Sequence, residues 1–236
     1  MFHLKNYPAL VSSILIFFLS SCGSNEIGES KDVNPATIYQ DYKIVYKEGA
    51  NDDQVEIWGQ FRFAGDDGTT LILTNPSSIT FDGLKIKVDS NEFAGAFYSL
   101  NTPVKNFEGK HRFVFTDINR NTFENEFSFD GLKLQATGNA CKTEPLNIQF
   151  ETTRLEGDDY IELASTDTDS SFSINHTTAD HGDIISIPVN ELQRQKGNTL
   201  SLVASVIRKI PLKQSTKEGG QIVLYYSLKP VTIKLF

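Results

Sequence analysis

Cysteine is scarce in this chain, and so are methionine and tryptophan. The 236 residues include two cysteines, Cys22 and Cys141, one methionine and one tryptophan, Trp58. A multiply bridged disulfide scaffold is therefore excluded, and stability must come from the burial of apolar surface. Seventeen phenylalanines and eight tyrosines supply that surface, since each buried aromatic side chain removes roughly 150 to 250 Å² from water.

An excess of basic residues is also lacking. Lysine and arginine total 22 against 30 aspartates and glutamates, which gives a formal net charge of −8. Affinity for nucleic acid depends mainly on cationic side chains that neutralise phosphates. The composition therefore excludes nucleic acid as an expected partner.

Common catalytic motifs are missing. The sequence contains no G-x-S-x-G, P-loop, H-E-x-x-H or C-x-x-C, the patterns that position nucleophiles, phosphates and metal ions. Cys141 lies in a segment typical of a connector, so we expect no catalytic residue and no cofactor. One enzymatic alternative stays open, a small hydrolase of an envelope polymer, because two of the thirty acidic side chains could converge as a carboxylate pair.

The N-terminus has the pattern of a signal peptide. Its apolar run, Ala9 to Leu19, follows Lys5 and is shorter than the roughly 20 residues that a membrane-spanning helix needs. The run ends in Leu19-Ser-Ser-Cys22, which resembles the lipobox of bacterial lipoproteins. This resemblance implies that residues 1–21 are removed and that Cys22 is lipidated, with a diacylglyceryl thioether and a further acyl chain such as palmitate. Two or more acyl chains hold a protein stably on a membrane.

Lipidation of Cys22 has two consequences. Cys141 is left without an intrachain disulfide partner, and the membrane becomes a partner through the lipid anchor. Gly23 follows the cysteine at the position where the inner-membrane retention signal of enteric bacteria has aspartate. We therefore expect the cell outer membrane, and the face of that membrane on which the protein lies stays open.

Residues 22–37 are predicted to be a lipidated, flexible tether. Beyond Cys22 this segment has no aromatic side chain and only two β-branched apolar residues, Ile27 and Val33. So little apolar surface does not compensate for the entropy lost when a segment folds.

From Ile38 onward the apolar residues alternate with a period of two, which predicts β-strands. Phe123, Phe127 and Phe129 share one face of a strand whose partner is His111 to Phe115, and together these segments predict a β-hairpin. The only helix predicted is short, Val189 to Gln195. Further strands are predicted at Val55 to Phe63, Ile79 to Val88, Leu200 to Ile207, Ile222 to Leu228 and Val231 to Leu235.

An internal similarity predicts two tandem domains. Asp52 to Ile57 resembles Asp158 to Leu163, and the two segments are separated by about the length of one immunoglobulin-type domain. We therefore predict an all-β chain with two antiparallel β-sandwich domains at residues 38–138 and 139–236. The boundary falls in the turn-rich segment Ala136 to Pro145.

The strand spacing, the turn at Asn75 to Gly83 and the hairpin at Phe113 to Asp117 resemble those of uncharacterised lipoproteins of Bacteroidetes-type bacteria. Those proteins carry immunoglobulin-like or fibronectin-like sandwiches after a lipobox. The disulfide-and-tryptophan core of true immunoglobulin domains is absent here, because Cys141 has no partner and Trp58 is on the wrong face. The resemblance implies a tethered protein of the cell envelope.

Trp58 is the candidate binding residue. The core face of its strand is Val55, Ile57, Gly59, Phe61 and Phe63, which places Trp58 on the outside. An outward tryptophan on a sheet can stack on a sugar ring or anchor a protein partner. It can also cover a neighbouring strand or stack on Arg62, and a bulge at Gly59 would reverse the alternation.

Acidic and histidine clusters are weak metal candidates. Pairs such as Asp52/Asp53 and Asp66/Asp67 lie at turns, at opposite ends of one predicted strand, so they cannot share a calcium ion within one domain. His176 and His181 lie in a loop where isolated polar residues are ordinary. We predict no metal site, with calcium at the domain junction as the alternative.

Together these features predict a membrane-anchored envelope lipoprotein that acts as a non-catalytic binding or structural module. Its partner would be a glycan or an envelope protein, and the sequence does not separate the two.

Overall fold

The structure is a computed structural model that describes residues 26–49, 54–103, 107–131, 133–135, 138–151, 155, 159–166, 170–177 and 183–236. Cys22 and the predicted signal peptide lie outside these residues. The described chain is almost entirely β-structure arranged as packed sheets. The predicted all-β sandwich class is therefore confirmed.

The strands follow one another along the chain with short connections. The first ten are β1 (Ile27–Glu29), β2 (Ile38–Lys47), β3 (Gln54–Phe63), β4 (Thr69–Ile72), β5 (Ser78–Phe81), β6 (Leu84–Lys85), β7 (Lys87–Asn91), β8 (Gly95–Pro103), β9 (Gly109–Thr116) and β10 (Thr122–Phe129). The remaining ones are β11 (Leu134–Gln135), β12 (Asn139–Ala140), β13 (Leu146–Phe150), β14 (Tyr160–Ser165), β15 (Ser173–Thr177), β16 (Ile184–Ile187), β17 (Thr199–Pro211), β18 (Gly220–Ser227) and β19 (Val231–Leu235). One short helix, α1 (Val189–Arg194), and two 3₁₀ turns, Ser30–Asp32 and Pro35–Thr37, complete the described elements.

One long sheet and two small sheets make up the sandwich. The long sheet has 12 strands, with the path β1-β4-β3-β2-β18-β17-β14-β15 and with β7, β8, β12 and β19 joined to it. One small sheet has the order β10-β9-β5-β6 and the other β11-β13-β16. Pairs are antiparallel except for β1 with β4, β2 with β18 and β12 with β19.

The long sheet continues across the predicted domain boundary. β2, from the first predicted domain, pairs in parallel with β18, from the second, with Gly220 opposite Gln40 and Ser227 opposite Lys47. The domain limits at 138 and 139 stay a prediction. Any division of the chain there would run through this ladder of hydrogen bonds.

Aromatic side chains fill the space between the long sheet and the sheet of β9 and β10. Tyr42 of β2 stacks on Phe113 of β9 with ring centroids 4.4 Å apart, and Phe61 of β3 lies 4.6 Å from Phe115 of β9. The Tyr42 hydroxyl donates to Gln40 Oε1 at 2.9 Å, and burial raises the pKa of Tyr42. Apolar residues of the third sheet belong to the same continuous core.

A reciprocal amide pair joins the β9–β10 hairpin to the loop between β17 and β18. Asn125 Nδ2 donates to the carbonyl oxygen of Gln214 at 2.8 Å, and the Gln214 amide donates back to Asn125 Oδ1 at 3.0 Å. Asn125 is buried. Because a buried amide without partners costs about 1 to 3 kcal/mol, this pair fixes the loop against the hairpin.

The predicted tether is wrong for residues 27–37. Ile27–Glu29 pairs with β4, Ser30 is fully buried and exchanges hydrogen bonds with Thr74, and Val33 packs against the core. The sequence argument considered only the apolar surface of the segment itself. It did not include the open edge of β4, which supplies backbone hydrogen bonds to a strand of ordinary composition.

The predicted strands and the short helix are confirmed, except that the strand predicted at Ile79 to Val88 is wrong. A turn with positive φ at Asp82 and Gly83 divides that segment into β5, β6 and the start of β7, and β7 belongs to a different sheet. The hairpin pairs Phe127 with His111 and Phe123 with Phe115, and α1 occupies Val189–Arg194. No helix of the described chain has the length and apolarity needed to cross a membrane.

A buried ion pair holds the start of β14 to β17. Arg208 Nε and a terminal guanidinium nitrogen each donate to one carboxylate oxygen of Asp159 at 2.8 Å, and Asp159 is 0% exposed. Arg208 begins a basic stretch in the sequence, but its guanidinium is paired with Asp159 inside the fold.

We predict that Asp159→Asn lowers the free energy of unfolding by roughly 3 to 5 kcal/mol, because it removes the carboxylate that compensates a buried guanidinium. Urea unfolding followed by circular dichroism measures the change. Lys209→Ala, on an exposed neighbour of Arg208, is the control and should change the stability by less than about 0.5 kcal/mol. Equal stabilities for Asp159→Asn and the control would contradict the assigned role.

Candidate functional site

Trp58 faces outward from β3, as predicted. Val55, Ile57 and Phe61 are buried on the opposite face, and Trp58 is half-buried. The pairing with β2 continues without a bulge through Gly59, which lies opposite Tyr42. Phe63 departs from the prediction, since it is 38% exposed where β3 ends.

The indole of Trp58 has two neighbours on the outer face of the long sheet. The ammonium nitrogen of Lys43, directly opposite on β2, lies 4.5 Å from the ring centroid. Phe97 of β8, a diagonal neighbour, stacks at 6.1 Å with an interplanar angle of 23°. A cation at this distance is attracted by the negative face of the ring. The predicted alternative, stacking on Arg62, is not among the ring contacts of Trp58 in the described residues.

A cleft of about 350 Å³ opens beside Trp58. It forms where β3 changes partners: β8 pairs with β3 as far as Gly59, and β4 pairs with β3 from Arg62 onward. Between these two ladders the backbone of β3 lacks a neighbouring strand on that side. The depression is therefore built into the topology of the sheet.

Two polar side chains hold the separated strands at this gap. Gln60 Nε2 donates to the carbonyl oxygens of Ala94, at 2.5 Å, and Ala96, at 3.1 Å, while Thr70 Oγ1 accepts from the Ala96 amide at 3.0 Å. Gly95 adopts φ +69°, and a Cβ there would lie 2.3 Å from Thr70 Oγ1. Glycine is thus required for this close approach.

The wall of the cleft combines one exposed aromatic ring with charged side chains. Phe93, at the tip of the β7–β8 hairpin, is 92% exposed. The tip has a defined shape because Asn91 Oδ1 accepts from the amides of Phe93, at 3.0 Å, and Ala94, at 2.7 Å. Charged residues of both signs line the cleft, namely Glu26, Lys43, Arg62 and Asp67.

Arg62 lines the cleft and has one unsatisfied donor. One terminal nitrogen donates to Gln60 Oε1, whereas its buried Nε has no hydrogen-bond acceptor among the described residues. Leaving such a donor unsatisfied costs about 1 to 3 kcal/mol.

The electrostatic surroundings of the cleft are mixed. Tyr39 lies opposite Arg62 in the β2–β3 register. Burial raises the pKa of Tyr39, and the carboxylates of Asp41 and Asp66 raise this pKa further. The positive charge of Arg62 lowers it. Neither sign of charge dominates, so the cleft does not select a strongly charged ligand.

The other sequence candidates fall elsewhere. Cys22, His181 and the Asp52/Asp53 pair lie outside the described residues. His176 is buried on β15, and Asp67 lines the Trp58 cleft. Within the described residues no group of three or more His, Cys, Asp or Glu side chains is placed to hold a metal ion.

Sequence reasoning identified Trp58 and named Arg62 as a neighbour on the same face, but it missed Lys43 and Phe93. Lys43 could have been found only from the β2–β3 register. Phe93 did carry a signal, since an aromatic residue in the turn-like segment Asn91 to Gly95 has no strand in which to be buried.

Comparisons with known proteins give structural similarity alone. No protein-family model and no curated protein matches the chain. A similar solved structure is that of the Bacteroides ovatus mixed-linkage glucan utilization locus protein SGBP-B in complex with a mixed-linkage heptasaccharide. The identity is 10% and the TM-score 0.25, with 89% of this chain and 65% of that chain covered. This chain therefore spans less than two thirds of that structure's length.

Two further similar structures contain IG domains. DIP-gamma IG1+IG2 is 8% identical with a TM-score of 0.22, covering 84% of this chain and 97% of that chain. Dpr11 IG1 bound to DIP-gamma IG+IG2 is 7% identical, also with a TM-score of 0.22, covering 81% and 95%. Similarity at this level does not specify a ligand, so the function is argued from the cleft.

Because Trp58 is the single tryptophan of the chain, its fluorescence reports on the cleft. We predict that Lys43→Ala raises the Stern–Volmer constant for quenching by acrylamide, because the side chain that covers the ring is removed. Lys43→Arg keeps a cation over the ring and should leave the constant close to that of the unmodified protein. Equal quenching in all three proteins would show that Lys43 does not cover the indole in solution.

Proposed function

We propose that this chain is a non-catalytic binding protein of the bacterial envelope and that its Trp58 cleft binds a glycan. The observation that carries the proposal is the combination of Trp58, the exposed Phe93 ring and the polar side chains Gln60, Arg62 and Asp67 around one cleft. Aromatic rings bind the C–H faces of sugars, and fixed polar groups bind the hydroxyls.

Several features of the cleft favour a glycan over a protein partner. The charges of the cleft are balanced, and its donors and acceptors include Thr69 and Asp67 as well as Arg62. A protein hot spot is instead usually a desolvated apolar pocket surrounded by contacts that exclude water. Each hydroxyl group of a neutral polyhydroxylated ligand can both donate and accept hydrogen bonds, so such a ligand can pair with the donors and with the acceptors of the cleft.

Affinity electrophoresis in native gels tests this function. The gels contain mixed-linkage β-glucan, xylan, galactomannan, α-mannan or dextran, and the full-length protein is loaded in detergent. We expect at least one polysaccharide to retard the protein. Trp58→Ala should weaken that binding by about thirtyfold or more, and Phe93→Ala by about tenfold, because each removes an anchor ring.

Leu84→Ala is the matched control, since Leu84 is an exposed apolar residue of the small sheet, and its migration should equal that of the unmodified protein. Phe93→Ala should not change the melting temperature, because its ring is almost fully exposed. Normal migration of the unmodified protein in all five gels would overturn the glycan proposal.

The hydrolase alternative has one observation in its favour: Glu26 and Asp67 line the same cleft. The same five polysaccharides decide it. New reducing ends that disappear in Glu26→Gln or Asp67→Asn would identify a carboxylate-pair hydrolase. Binding without any release of reducing ends supports the non-catalytic function.

The resemblance of Leu19-Ser-Ser-Cys22 to a lipobox supports an envelope location, and we propose that Cys22 is lipidated and holds the protein on the outer membrane. In a cell fractionation experiment we expect the unmodified protein in the outer-membrane fraction and Cys22→Ser in the soluble fraction, because the variant has no acyl chains. Cys141→Ser, which removes the other thiol, should stay with the membrane. Membrane association of Cys22→Ser would contradict lipidation as the anchor.

A further inference from the structure

A second depression lies on the same face of the long sheet as the Trp58 cleft. Its volume is about 460 Å³, and it is lined chiefly by β2, β18 and β17, including Val45, Tyr225 and Ile207. Tyr225 is 37% exposed in the middle of a strand whose neighbours on the core face are buried. We call this depression the Tyr225 groove.

The strand register makes the Tyr225 groove a continuation of the Trp58 cleft. Trp58 of β3 lies opposite Lys43 of β2. Two residues further along β2, on the same face, Val45 lies beside Tyr225 of β18. Tyr225 in turn lies beside Ile207 of β17. Lys43 lines both depressions. The two therefore meet at Lys43 and form one furrow that crosses the strands.

The separation of the two aromatic rings can be derived from sheet geometry. Trp58 and Tyr225 are two strands apart across the sheet and two residues apart along it, which corresponds to about 10 Å in one direction and about 7 Å in the other. Their positions are thus about 12 Å apart on the sheet. A single sugar ring is too short to contact both, whereas a chain of several rings is long enough.

The chemistry of the Tyr225 groove resembles that of the cleft. An aromatic ring and two aliphatic side chains form an apolar floor, and the hydroxyls of Ser205 and Ser227 hydrogen-bond to each other at 2.9 Å. Lys43 and Lys47 contribute two positive charges and Glu162 one negative charge. The groove thus offers an apolar surface with hydroxyl and charged groups around it, which can bind the ring faces and the hydroxyls of a polyhydroxylated chain.

The position of the groove disfavours an extended peptide added as a strand. β2, β18 and β17 are all paired on both sides here, so their backbone groups are already in ladders. Strand addition needs an open sheet edge. An occupant of the groove must be bound by side chains alone.

We propose that the Tyr225 groove is a second subsite of the glycan site, and that the protein binds an extended stretch of a neutral glycan lying across β3, β2 and β18. This inference rests on the proposed function of the Trp58 cleft. It adds that the ligand is a polymer chain of several sugar units and that Tyr225 determines the required length.

Isothermal titration calorimetry on the full-length protein in detergent tests the inference. The probes are β-linked oligosaccharides of glucose, xylose and mannose with two, four and six units. For at least one sugar we expect the affinity to rise about tenfold from two to six units, because the longer chain reaches a second aromatic contact. In Tyr225→Ala the same lengthening should raise the affinity less than twofold, and the two-unit probe should bind as it does to the unmodified protein.

Trp58→Ala should weaken the binding of oligosaccharides of every length. Phe236→Ala is the control and should not weaken the binding of any of them, because the exposed Phe236 ring lies outside both depressions. Val45→Gln, which alters the groove from β2, should reduce the gain with length as Tyr225→Ala does, so the test does not depend on one variant. A tenfold gain that persists in both groove variants would overturn the second subsite and leave the Trp58 proposal intact. Absence of binding by any oligosaccharide would overturn the proposed function and the inference with it.

Self-association is the competing use of this face. Sedimentation equilibrium on the unmodified protein and Tyr225→Ala distinguishes it. A dimer that Tyr225→Ala converts into a monomer would overturn the second subsite, and the same monomeric state for both proteins supports it.

Discussion

The long sheet and its outer face depend on one ladder of hydrogen bonds, the parallel pairing of β18 with β2. This ladder joins Gly220–Ser227 to Gln40–Lys47. Parallel strands need a long connection, and here nearly the whole described chain lies between the two strands. The ladder unites strands from both ends of the sequence into one sheet with a continuous outer face. Without it, Lys43 and Tyr225 would have no common surface. Because these paired residues are far apart in the sequence, we expect folding to be slow for a chain of this size.

The gap between β8 and β4 shows how the molecule makes a depression in a sheet while the backbone groups of Ala94 and Ala96 keep hydrogen-bond partners. A strand that loses its neighbour exposes backbone donors and acceptors. Gln60 and Thr70 replace the missing ladder bonds to Ala94 and Ala96 with side-chain bonds. The Asn125 and Gln214 pair does the same between a hairpin and a loop. Short amide and hydroxyl side chains therefore serve as local substitutes for strand pairing, and the cleft is stable because of them.

Local patterns in the sequence predicted the local structure well. Alternation of apolar residues correctly placed most strands, the β9–β10 hairpin and the outward direction of Trp58, because a period of two is fixed by strand geometry. It failed at Ile79 to Val88, where the Asp82-Gly83 turn interrupts the strand. The same reasoning could not find the partners of Trp58. Lys43 lies over the indole because the register of β2 and β3 places the two residues opposite each other. The cleft forms because β3 pairs first with β8 and then with β4, and this order is set by the topology of the sheet. The predicted tether failed for a related reason, since the edge of β4 and Thr74 that hold residues 27–37 are distant in sequence.

The closeness of β1 to Cys22 in the sequence limits how far the Trp58 cleft would lie from a lipid on Cys22. Glu26 immediately precedes β1 and lines the Trp58 cleft. Four peptide units separate it from Cys22, and a fully extended chain of that length spans at most about 14 Å. With a lipid on Cys22, the entrance of the cleft would lie within roughly one protein radius of the bilayer surface. A polymer chain in solution would then have to approach the lipid headgroups to be bound, which favours glycans that are already concentrated at the membrane.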